Sequence, residues 1–403
     1  MKDKYNPIIY RLLYYAIFTG DALFSPFYYQ YYRSVGLSDA QSGVLLAIVP
    51  FSLFLGGLFF SHFATTFKKS LRVMRILSVL EVFSFVAFGF CTTYWPLLVL
   101  TVIASFFNSA YFTIQDGTCT IAMKKAGKGY ESIRIFGSIA YAVALIGGFF
   151  IVGIIPYSVL YTIAAFFFLC GFVLTFLIVP VDDEIPDRTV ASEASSAAVP
   201  EEKKGLFSNK QFILFLIYNT LFFASVNSLG TLLTVYLEKG LGLQDNEYSL
   251  WYGLRVVAEI ASLLAFPFVF RKLKSHKKSL MISGSLFILS GLLAIVIPEK
   301  NALVSSAFLI RGLANGLSLV SGVLLLHSIV GDRLVTRALV ISGALCNFLT
   351  GLGNLLFDYM SRATGYPLVF VALSVISVVG FVLLFFIKEP VEEVDEKAAP
   401  QKA

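Results

Sequence analysis

Twelve apolar runs, most of them long enough to cross a lipid bilayer, divide this 403-residue chain from near its start to about residue 388. About twenty helical residues cover the hydrocarbon core. A backbone in lipid has no water for its N–H and C=O groups, so segments of this kind are restricted to helices or closed barrels. These runs are too long and too uniformly apolar for the alternating strands of a barrel. They lie at 8–32, 42–67, 71–92, 95–123, 132–154, 157–180, 211–238, 247–271, 279–297, 302–330, 334–361 and 367–388. With 57% hydrophobic and 14% charged residues and a mean hydropathy of +0.80, the chain has too little polar surface for a soluble globule. The expected fold class is an all-α membrane protein, with the bilayer as its main solvent.

Charge follows topology. Lys68, Lys69, Arg72, Lys124, Lys125, Lys128, Arg271, Lys272, Lys274, Lys277 and Lys278 gather at even-numbered turns, whereas the odd-numbered turns carry Arg33, Lys239, Lys300 and Arg362. Basic residues stay on the cytoplasmic side, so both termini are expected in the cytoplasm of a multi-pass cell-membrane protein. The net charge of +6 therefore describes orientation, and no nucleic-acid partner is expected. The first ten residues lack a signal-peptide pattern, so the first run is expected to remain. Cys91, Cys119, Cys170 and Cys346 show no metal-ligand spacing and read as small apolar fillers. Three scattered His, with no HExxH or GxSxG, argue against an enzyme and leave no cofactor or metal to expect.

The one long polar segment, 181–210, separates residues 1–180 from 211–388, with a tail at 389–403. It reads as a cytoplasmic linker between two bundles of six helices. An internal repeat supports the division. Gly36-Leu37-Ser38-Asp39 precedes the second span as Gly242-Leu243-Gln244-Asp245 precedes the eighth, and Lys68-Lys69-Ser70-Leu71 recurs as Lys277-Lys278-Ser279-Leu280. Two matches in order, at matching places, point to duplicated halves. On these features the chain resembles the major facilitator superfamily, which implies twelve spans in two six-helix bundles and transport by alternating access. The superfamily's motif after the second span is reduced here to Gly57 and Lys68-Lys69, without its Asp.

A charge at bilayer depth costs at least about 2.5–3.5 kcal/mol on insertion scales, so each one calls for a partner, a bundle interior or a wet cavity. The candidates are Asp21, Glu81, Asp116, Arg134, Arg255, Glu259 and Arg311. Arg255 and Glu259 are four apart on one helix and can pair with each other. Asp116 and Arg134 lie on consecutive helices and can meet across the bundle. By the repeat, Asp21 corresponds to Asn227, which makes the two halves chemically unequal there. Glu81, on a span that is peripheral in this architecture, is expected to have an internal structural partner. Gln115, beside Asp116, and Asn227 are candidate cavity amides. Tyr28, Tyr29, Tyr31 and Tyr32 read as an interfacial aromatic belt, with Tyr28 able to face an entrance.

Tyr130-Glu131-Ser132-Ile133-Arg134-Ile135-Phe136-Gly137-Ser138, with Asp116 before it, resembles the corresponding segment of the lactose permease branch and of its phenylpropionate and nucleoside permease relatives. The resemblance implies that Asp116 and Arg134 grip hydroxyls and that Tyr141 stacks on a sugar face. It also implies that Glu259, in Ala258-Glu259-Ile260, links binding to proton movement. In the tenth span Arg311 keeps the basic residue, but Ala314 and Leu317 stand where that permease has a His and a Glu. Asp21 is the expected substitute proton carrier, since desolvation brings a carboxyl's titration toward neutrality. The expectation is a secondary transporter of a small polar solute, foremost a sugar, with proton symport. Its substrate-binding residues are Asp116, Arg134, Tyr141, Gln115, Asn227 and Tyr28, and its coupling residues Glu259, Asp21, Arg311 and Arg255. Transport of aromatic acids or nucleosides, drug export and a non-transporting sensor are the alternatives.

Overall fold

The computed structural model describes residues 7–61, 63, 67–126, 131–180, 206–297 and 299–389. The first half contains α1 (Pro7–Ala22), α2 (Tyr28–Ser34), α3 (Asp39–Ser61), α4 (Phe67–Phe90), α5 (Tyr94–Ala126), α6 (Glu131–Gly148) and α7 (Tyr157–Leu177). The second contains α8 (Lys210–Lys239), α9 (Asp245–Leu273), α10 (His276–Val296), α11 (Lys300–Val330), α12 (Asp332–Thr364) and α13 (Tyr366–Phe386). Most of the expected linker, and the tail beyond Glu389, lie outside the described residues, which resume at a short 3-10 turn, Leu206–Ser208. Nine helices among the described residues are long and apolar enough to cross a membrane. Three more segments complete the twelve spans. One is α1 with α2, one the short α6, and one the more polar α12.

Two expected spans differ in shape. The first is interrupted, because Pro26 has no N–H and disfavours helical backbone at the residue before it. A 3-10 turn, Ser25–Phe27, joins α1 to α2 there. The fifth, expected to reach 154, stops at Gly148 and continues through turns to Gly153, whose φ of +78° suits a residue without a Cβ.

The repeat is visible in the backbone. Gly36 and Gly242 both take left-handed conformations, φ +78° and +66°, just before the helices that begin at Asp39 and Asp245. At the first start the Ser38 N–H donates to Gln41 Oε1 while the Gln41 N–H donates to Ser38 Oγ. At the second the Gln244 N–H donates to Glu247 Oε2. These are two versions of one capping box.

Within the first half α1 packs on α6 and α7, α3 on α5, and α4 on α5 and α7. The second half repeats the scheme, with α8 on α12 and α13, α9 on α11, and α10 on α11 and α13. Aromatic side chains fill the first bundle: Phe24 stacks on Phe85 with centroids 3.7 Å apart and meets Tyr161 edge-on at 4.7 Å. Phe83, Phe90, Trp95 and Phe150 are exposed on the outside, where lipid accepts them. Tyr28, Tyr29, Tyr31 and Tyr32 depart from the expected interfacial belt, since all four are buried. The restart at Pro26 sets α2 against Phe88, Tyr157 and Tyr161, so these rings face protein rather than headgroups.

The halves meet along two seams, α3 against α12 and α6 against α9. In the second, Ser249 Oγ donates to the Leu145 carbonyl at 2.6 Å. A Cβ on Gly253 would fall 2.7 Å from Ile146 Cγ1, so glycine permits this approach.

Candidate solute cavity between the bundles

The end of the molecule carrying the odd-numbered turns is closed by contacts between halves. Arg33 Nη1 donates to Glu238 Oε1 at 2.7 Å, Lys239 pairs with Asp39, and Tyr157 OH donates to Asp245. Arg362 Nη2 also donates to the Asp39 carbonyl at 3.0 Å.

Beneath this closure lies a cavity of about 480 Å³. The first half gives it Asp21, Ser25, Tyr28, Tyr29 and Asn108; the second gives it Asn227, Tyr248, Tyr252, Arg255, Phe308 and Arg311. Two further cavities, about 350 and 340 Å³, continue toward the even-turn end. One lies between α3 and α5 on one side and α12 on the other; the second follows Asn227, Phe223, Asn219 and Phe215 down α8. The molecule is therefore closed at one end and hollow toward the other.

The charges of the main cavity are unevenly satisfied. Asp21 Oδ1 accepts from Ser25 Oγ at 2.6 Å and from Asn108 Nδ2 at 3.3 Å. Arg311, only 7% exposed, donates from Nη2 to the Val226 carbonyl at 3.0 Å, where Gly230 leaves room for its guanidinium. Arg255 lies over the Tyr252 ring at 4.8 Å, and its Nε is buried without a hydrogen-bond partner. Among the described residues neither arginine forms a salt bridge. Glu259, four residues from Arg255, instead accepts from Asn315 Nδ2 at 2.7 Å.

Of the residues singled out in the sequence, Asp21, Tyr28, Asn227, Arg255 and Arg311 line this cavity. Glu259 lies beyond its lining. Asp116 and Arg134 meet at 3.8 Å, nearer the even-turn end; Asp116 also accepts from Tyr14 OH, and Arg134 lies 4.4 Å over the Phe18 ring. Tyr141 sits between Phe18 and Tyr252, bridging the halves. Gln115 is fully buried, with neither amide atom partnered, and does not line the cavity. Tyr248, Tyr252 and Phe308 were not singled out in the sequence. The first two had a readable signal: with Arg255 they form one stripe at helical spacing on α9.

Two repeated six-helix bundles around a polar cavity that is shut at one end define a membrane transporter of the major facilitator fold. The chain belongs to the MFS_1 like family, whose model matches residues 8–370. It is 23% identical over 356 residues to the "uncharacterized transporter YwbF" of Bacillus subtilis (strain 168), covering 87% of this chain and 85% of that one. It is 27% identical over 131 residues to the probable 3-phenylpropionic acid transporter of Escherichia coli (strain K12), covering 32% of this chain and 34% of the relative. A crystal structure of a variant of the nucleoside transporter NupG superposes with a TM-score of 0.77 at 15% identity, over 94% of this chain and 99% of that one. An auto-inhibited POT family peptide transporter does so with 0.71 at 10%, over 98% of each.

Proposed function

We propose that this transporter carries a small organic anion bearing an aromatic ring, together with a proton, by alternating access. The observation that carries the reading is that Arg255 and Arg311 both line the cavity and, among the described residues, neither forms a salt bridge, while Glu259, one turn from Arg255, is engaged by Asn315. A guanidinium at bilayer depth without a salt bridge is costly, and a carboxylate of the solute supplies the missing partner. The remaining walls, Tyr28, Tyr248, Tyr252 and Phe308, suit a flat apolar body. The likeness to a probable 3-phenylpropionic acid transporter agrees with this chemistry.

Asp21 is the proton carrier in this reading. It is the carboxylate of the same cavity, and its protonation offsets the solute's charge on the way through. Lys68, Lys69, Lys277 and Lys278 at the even-turn end support a cytoplasmic position for that end, and in this reading the conformation described faces inward. Residues 181–210 then join the two bundles on the same side.

A second reading, a sugar or nucleoside, draws on Asp116 and Arg134, whose contact with Tyr14 nearby offers donors and acceptors to hydroxyls. Calorimetric titration of the purified protein with 3-phenylpropionate, uridine and a disaccharide separates the two. The anion reading predicts binding of the acid alone, lost in Arg255→Gln and Arg311→Gln. Binding of uridine or the disaccharide, unaffected by those variants and lost in Asp116→Asn, selects the other.

A further inference from the structure

Glu81 is a buried acid that the cavity itself does not use. It lies on α4 inside the first bundle with 0% exposure, and among the described residues neither carboxyl oxygen has a hydrogen-bond partner, in place of the structural partner expected for it. One turn before it Ser78 Oγ donates to Tyr111 OH of α5 at 3.2 Å, and one turn after it Phe85 stacks on Phe24. Glu81 thus stands behind the wall whose cavity face carries Asp21 and Tyr28. Asp21 stands one turn before Phe24 as Glu81 stands one turn before Phe85, and those two rings stack at 3.7 Å; among the described residues the titratable groups around Glu81 are Asp21 of α1, Tyr28 of α2 and Tyr111 of α5, none of them basic. From α7 the neighbouring Phe85 meets Phe168. An ionised carboxylate in such a place has no partner and no countercharge, and groups so placed hold a proton instead. Asp21, with two hydrogen-bond donors and a face on the cavity, is the better seat for the charge.

We propose that Glu81 is a second proton-carrying group of the transport cycle. It is a neutral carboxylic acid in the conformation closed at the odd-turn end, and it passes its proton to Asp21, from which the proton reaches the cavity. The transfer moves one proton between two carboxyl groups, with no change of oxidation state. This role rests on the proton-symport reading above.

Infrared difference spectroscopy of the full-length protein, comparing H2O with D2O at neutral pH, reads the acid directly. A protonated-carboxyl carbonyl band is expected in the wild type and absent in Glu81→Gln. In proteoliposomes the same variant is expected to keep solute exchange and lose accumulation driven by a pH gradient. A carbonyl band unchanged in Glu81→Gln overturns the proposal, as does a variant that accumulates solute like the wild type. Failure of the wild type to accumulate while it still exchanges sinks proton symport, and the infrared band then decides the state of Glu81 separately. Should Glu81→Gln not fold, Glu81→Asp keeps the acid and is expected to shift the band; an unshifted band counts against the proposal.

Discussion

Asp39 and Asp245 hold the same place in the two halves, each at the start of a helix that follows a left-handed glycine, and each is bound by a side chain of the opposite half. Lys239 reaches Asp39 and Tyr157 reaches Asp245, so the closed end is fastened twice by one repeated element. Arg33 with Glu238 adds a third fastening at 2.7 Å.

These contacts bias the closure without dominating it. Arg33 is 46% exposed and Asp39 64%, and exposed pairs contribute about 0.2–1 kcal/mol, but Glu238 is only 6% exposed. Asp39→Asn is expected to raise the population open at that end about two- to fivefold, and Arg33→Gln, which leaves the buried Glu238 carboxylate without this partner, by more. Spin-label distances across the α3 and α12 ends measure the shift. No change in either variant would mean that the apolar seams alone hold the closure.

Gly230→Ala tests the seat of Arg311. The new Cβ would lie 2.6 Å from Arg311 Nη2, the far end of a flexible side chain, so the fold tolerates it while the guanidinium moves. Melting temperature is expected to stay close to wild type, and solute affinity to fall about tenfold, equivalent to about 1.4 kcal/mol. Unchanged affinity would remove Arg311 from the binding groups.

Glu389 fastens the end of the second bundle. Its carboxylate accepts from Ser275 Oγ, the His276 N–H at 2.7 Å and the Lys277 N–H at 3.2 Å, at the start of α10. Lys277 Nζ returns two bonds, to the carbonyls of Phe385 and Ile387. Glu389→Ala is expected to cost about 1–2 kcal/mol, as a lost helix cap does. Equal melting temperatures for wild type and Glu389→Ala would contradict this.

Asp116 and Arg134 are a loose pair. At 3.8 Å, with side chains 40% and 33% exposed, their coupling in a double-mutant cycle of stability is expected to stay below about 1 kcal/mol. A larger value would make them a structural bridge rather than groups available to a solute.

Hydropathy made the spans legible, because it reports on the solvent around the chain. The repeat was legible for a similar reason: Gly36 and Gly242 mark turns that need a left-handed residue. Side-chain facing was less so. The Tyr28 to Tyr32 stretch reads as a belt by composition, and only the break at Pro26 turns it inward. Arg255 and Glu259 look like a pair by spacing, yet Asn315 on α11 takes the carboxylate. Such outcomes depend on packing between helices far apart in the chain, which no local pattern records.

Solute-driven proton movement in proteoliposomes tests the central claim most directly. With 3-phenylpropionate added outside at neutral pH, the external medium is expected to turn alkaline in the wild type. The signal is expected to vanish in Arg255→Gln and in Asp21→Asn, while a disaccharide and uridine give none. Alkalinisation by the disaccharide or the nucleoside, with none from the acid, would contradict the account.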